Sequence, residues 1–111
     1  MRELLRLHLS NAGYRVRIAE DAVAAGHMAV RQLPDLLICD VNMPYMDGFD
    51  FVAALRADPK FADLPVIFLT SEEGGVARSK ELGAAGYLTK PVRADALFRL
   101  VTQSLLPGAE S

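Results

Sequence analysis

Tryptophan is absent from this sequence, and cysteine nearly so. Cys39 is the only cysteine, so no intrachain disulfide can form. It sits in the apolar run LLIC, where a free cysteine acts as a small buried hydrophobe. Long apolar runs are missing too. None approaches the roughly 20 residues that a membrane-crossing helix requires. Excess charge of one sign is also lacking. The chain has 12 basic and 14 acidic side chains, a net charge of −2 and an isoelectric point near 5.6. Nucleic acid and anionic membranes are therefore excluded as main partners. The opening MRELLRLHLSNAG is too charged for a secretory leader, so the expected compartment is the cytoplasm. Repeats, linkers and low-complexity blocks do not occur.

What is present fits one domain. The chain has 111 residues, 51% of them hydrophobic, and a domain of this size buries about two thirds of the surface its unfolded chain exposes. We read residues 1–106 as that domain and 107–111, PGAES, as a tail expected to fray.

The apolar spacing predicts a helix over 2–12, although LRLHL also alternates as a strand would. Helix is favoured because a buried parallel strand is apolar on both faces, and Arg6 and His8 are not. Gly13 stops it. YRVRIA, Tyr14 to Ala19, reads as a short strand. Asp21 is placed to cap a helix running to about Gln32. Leu36 to Cys39 reads as a buried strand ending at Asp40. Phe49 to Ala57 is helical, stopped by Asp58-Pro59. Val66 to Leu69 is a buried strand ending at Thr70. A weak helix over 74–83, a strand from Ala85 to Thr89 ending at Lys90-Pro91, and a helix from Arg93 to Leu106 complete the chain. Alternating helices and apolar strands predict a parallel sheet with helices on both faces.

Ligands of such sheets gather at the carboxyl ends of the strands. Asp40, Thr70 and Lys90 each stand at one. If those strands are neighbours, about 4.8 Å apart, the three side chains converge. A carboxylate can act as nucleophile towards phosphorus. A lysine ammonium can neutralise phosphoryl oxygens, and a threonine hydroxyl can donate to one. Each residue alone has a plainer reading: a turn or cap for the aspartate, a β-former for the threonine, a solvated loop residue for the lysine. Three strand ends together favour the site. His8 and His27 fall in predicted helices away from it.

PDLLICDVNMPYMDG, PVIFLTS and GAAGYLTKP together resemble the receiver domain of two-component response regulators, the CheY-like domain, over almost the whole chain. The resemblance implies a flavodoxin-like doubly wound parallel sheet and phosphoryl transfer from a sensor histidine kinase or phosphotransfer protein to Asp40, with Mg2+ bound. It implies that Asp40 and the Asn42 carbonyl face the metal, and that Thr70 and Lys90 bind the phosphoryl group. It further implies that Thr70 and Tyr87 switch, and that Asn42 and Glu72 flank the site and tune phosphoryl lifetime. Lys90-Pro91 matches a bond that is cis in the family. Pro44 and Gly48 shape the loop, and Asp47 is placed to cap the next helix.

One departure stands out. A complete receiver opens with a strand ending in an acidic pair that holds Mg2+, and this chain starts inside the following helix. Mg2+ takes near-octahedral oxygen coordination, so its binding, and phosphoryl acceptance with it, is expected to be weakened. Glu3, Glu20 and Asp21 are not placed to substitute. The sheet is expected to be perturbed as well. The missing strand would lie between Tyr14–Ala19 and Leu36–Asp40, and orphaned buried backbone groups cost about 1–3 kcal/mol each. The two edges re-pairing, a second chain covering them, or a rewritten opening helix would each relieve this, with homo-oligomer formation or strand exchange preferred alongside re-pairing. The leading reading is a phosphorelay receiver, not an enzyme, with its acceptance of phosphate impaired. The alternative is a phosphorylation-independent interaction module. A phosphatase-type hydrolase fits poorly, because Val41 and Asn42 supply no second acid beside Asp40.

Overall fold

The computed structural model describes residues 2–17, 19, 22–43, 46–70 and 76–105. Glu20, Asp21, Pro44, Glu72 and the tail from Leu106 lie outside them. In chain order the elements are α1 (Arg2–Asn11), α2 (Ala22–Arg31), β1 (Leu37–Asp40), β2 (Asn42–Met43), β3 (Met46–Asp47), α3 (Gly48–Arg56), a 3-10 turn (Pro59–Phe61), β4 (Val66–Thr70), α4 (Val76–Glu81), β5 (Gly86–Thr89) and α5 (Ala94–Leu105).

LRLHL is helical. Gly13 closes α1 at φ 100°, a left-handed conformation that suits glycine. The N–H of Tyr14 then donates back to the Leu9 carbonyl at 3.1 Å. Asp58 accepts from the Lys60 N–H at 2.9 Å and opens the 3-10 turn after α3.

β1, β4 and β5 form a three-stranded parallel sheet in the order β1-β4-β5. Asp40 is in register with Leu69, and Thr70 with Thr89. β4 lies in the middle, and all of its residues are buried. That burial explains its unbroken apolar run. On one side Ile67 and Leu69 pack with Leu97 and Val101 of α5 and Leu9 of α1. On the other, Val66 and Phe68 pack with Cys39 and with Phe51 and Val52 of α3. The rings of Phe49 and Phe68 meet tilted, with centroids 4.8 Å apart.

The described residues of the expected strand at Tyr14–Ala19, 14–17 and 19, are not in a strand. Among the described residues the segment joins no ladder, and the sheet has neither the fourth strand of a re-paired edge nor a rewritten opening helix. A strand is held by its neighbour's hydrogen bonds, and no described strand pairs with this segment. Its side chains find other partners. Tyr14 and Val16 pack on the core that contains Leu9 of α1 and Leu97 and Val101 of α5. The Arg17 guanidinium donates to the carbonyls of Gln32 (2.9 Å) and Met28 (3.4 Å), satisfying the end of α2.

Sequence reading also missed Arg56. It donates from α3 to the carbonyls of Phe61 (2.9 Å), Ala62 (3.0 Å), Leu64 (2.7 Å) and Leu82 (3.1 Å). One guanidinium thus ties α3 to the approach to β4 and to the turn before β5. The signal was slight: an arginine in the last turn of an apolar helix, ahead of a segment rich in free carbonyls.

Candidate functional site

The parallel register brings the three strand ends to one edge of the sheet. Asp40 ends β1, Thr70 ends β4, and Lys90 follows β5. Lys90 Nζ donates to both carboxylate oxygens of Asp40, at 2.8 Å to Oδ1 and 2.7 Å to Oδ2. Both side chains are half-buried, so the pair is less screened than one at the open surface. The backbone N–H of Lys90 donates to the Thr70 carbonyl at 2.7 Å, which locks the two neighbouring strand ends together. Thr70 is only 3% exposed. The Lys90-Pro91 bond is cis, as the resemblance implies.

The stretch after Asp40 is more ordered than a simple loop. Val41 is buried and continues the ladder, its N–H donating to the Leu69 carbonyl at 2.8 Å. Asn42 and Met43 then pair antiparallel with Asp47 and Met46. Asp47 accepts from the Phe49 N–H at 2.6 Å, the cap read from sequence. Beneath Asp40, burial pushes the Cys39 thiol up to about 12, with the Asp40 and Asp47 charges adding to the effect. It is therefore an apolar packing group and no nucleophile.

Tyr87 lies on β5 in register with Phe68 and is 37% exposed. It stands at the surface, on the strand that carries Lys90 beyond its end. Glu72 lies outside the described residues. Asn42 is placed by its backbone, in β2 opposite Asp47.

The donor set of the described residues does not fit a complete Mg2+ site. Among the described residues no three Asp, Glu, His or Cys side chains form a group able to hold a metal. Asp40, the carboxylate that ends β1, is already bonded to Lys90.

A doubly wound α/β domain with an aspartate, a threonine and a lysine at adjoining strand ends belongs to the class of folds whose ligands gather at those ends. The sequence model of the response regulator receiver domain family matches residues 1–102. The chain belongs to that family. It is 43% identical over 107 residues to an uncharacterised 14.6 kDa protein of Leptolyngbya boryana, covering 95% of this chain and 82% of that one. It is 40% identical over 100 residues to the response regulator PleD of Caulobacter vibrioides, covering 88% of this chain but 22% of PleD. The structure of the chemotaxis response regulator CheY4 of Vibrio cholerae superposes with a TM-score of 0.86 at 35% identity, over 94% of this chain and 88% of that one. The flavodoxin-like fold and the receiver class are thereby established. No helix among the described residues is long and apolar enough to cross a membrane.

Proposed function

We propose that this chain receives a phosphoryl group on Asp40 from the phosphohistidine of a sensor kinase or phosphotransfer protein. The observation that carries the reading is the Lys90 ammonium held within 2.8 Å of both Asp40 oxygens. An Asp40 oxygen attacks phosphorus, the phosphorus–nitrogen bond breaks, and its electron pair returns to the imidazole nitrogen of the donor. Lys90 follows the negative charge onto the phosphoryl oxygens, and the Thr70 hydroxyl donates to another of them. Such chemistry depends on positioning and charge stabilisation. Tyr87 turns inward as Thr70 moves, and the face of α4, β5 and α5 carries the change to a partner. Asp40 and the Asn42 carbonyl would be the groups facing Mg2+, which would supply positive charge beside the phosphoryl oxygens.

The test is incubation with acetyl phosphate at rising Mg2+, followed by intact-mass measurement. Slow, partial labelling that disappears in Asp40→Ala is the expected result. Absence of labelling at every Mg2+ concentration, with partner binding unchanged in Asp40→Ala, would replace this reading by a phosphorylation-independent interaction module.

A further inference from the structure

Gly48 opens α3 and is buried. A methyl group on its Cα would stand 2.6 Å from the Asp40 carbonyl oxygen, 2.8 Å from the Val41 Cα and 3.1 Å from the Asp40 carbonyl carbon. All three are main-chain atoms, so no side-chain rotation relieves the contact. The Gly48 N–H donates to the Val41 carbonyl at 2.8 Å, and the Val41 N–H donates to the Leu69 carbonyl at 2.8 Å. The backbone around Asp40 is therefore gripped from β4 on one side and from the first residue of α3 on the other. The Cys39 thiol lies in the same joint, 3.7 Å from the Asp40 carbonyl oxygen and 3.8 Å from that of Gly48.

We propose that Gly48 is a positioning residue for Asp40. Its bare Cα lets α3 close directly on the Asp40–Val41 peptide. That contact fixes the direction in which the Asp40 side chain leaves the backbone, so that both carboxylate oxygens meet Lys90. The inference rests on Asp40 as phosphoryl acceptor, but the geometry it concerns is measurable without phosphate.

The first experiment is a double-mutant cycle between Asp40→Ala and Lys90→Ala, read by urea unfolding, in the parent chain and in Gly48→Ala. The parent is expected to show a coupling of several-fold in the unfolding constant. In Gly48→Ala the coupling falls to about onefold. Gly86→Ala is the matched control, since the atoms a methyl there meets first belong to the Leu100 side chain, at 3.0 and 3.1 Å. It lowers stability and keeps the coupling. Undiminished coupling in Gly48→Ala would overturn the proposal, because a merely structural glycine lowers stability without touching the pair.

The second experiment measures beryllofluoride binding by NMR. Affinity falls at least tenfold in Gly48→Ala and not in Gly86→Ala. If the parent binds no beryllofluoride, the reading of Asp40 as phosphoryl acceptor fails while the cycle still decides the positioning role. Should Gly48→Ala not fold, Asp47→Ala decides. It removes the cap on the Phe49 N–H and loosens the first turn of α3 without adding atoms. Its control, Asp58→Ala, removes the same kind of cap from the 3-10 turn. Coupling reduced in Asp47→Ala and kept in Asp58→Ala supports the proposal; coupling kept in both overturns it.

Discussion

At the scale of single residues, Lys90 concentrates the site. Its ammonium meets both Asp40 oxygens, and its N–H holds Thr70. Replacing Lys90 by alanine is expected to slow phosphoryl acceptance by about a hundredfold, the cost of removing one well-placed charge-stabilising donor. A labelling time course with acetyl phosphate checks it. Cys39 gives a pH prediction. Its thiol is raised from 9.0 to about 12 in the folded chain, so above pH 9 the unfolded chain loses this proton while the folded chain keeps it. The stabilising contribution is full below pH 9 and is lost progressively as pH rises towards 12. Urea midpoints of the parent should fall across that window more steeply than those of Cys39→Ala. That Asp40, Thr70 and Lys90 stand at adjoining strand ends was legible in the sequence, because strand ends are marked by a change from apolar to polar. The grip of Gly48 was not. A glycine after Asp47 reads as a flexible loop residue until the main chain beneath it is seen.

At the scale of elements, β4 and Arg56 decide most. Phe68 is fully buried in the middle strand, and Phe68→Ala is expected to cost about 3–5 kcal/mol. Arg56→Met is expected to cost about 2–3 kcal/mol, since it leaves several carbonyls short of a donor. Arg56→Lys recovers only part of this, because an ammonium cannot fork to so many acceptors. Denaturant midpoints measure both. The buried strands and four of the helices are readable from period and punctuation, within a residue or two at their ends. The segment from Tyr14 to Arg17 was misread. Its alternation is real, for Tyr14 and Val16 do pack inward. Alternation reports which way side chains face, however, and a strand also needs a neighbour. Arg56 escaped for a related reason: its partners are backbone carbonyls, which leave no mark in the sequence.

At the scale of the whole molecule, the two cores share one sheet. Leu97 and Val101 lie on one side of β4, and Phe51 and Val52 on the other. Neither layer can lose its packing without exposing the strand that the other depends on. A single cooperative transition is therefore expected. Near- and far-ultraviolet circular dichroism should coincide, and Leu97→Ala and Phe68→Ala should both shift that one transition. Two separated transitions would contradict the shared sheet. α3 gives this shared architecture a mechanical consequence. Its first residue is seated on the backbone of Asp40, and its last anchors the carbonyl of Leu82 before β5. The helix between them is nine residues, about 13 Å long. It is a strut pinned at both ends, one on the main chain of Asp40 and the other on the turn before β5, so these two points are held at a fixed spacing.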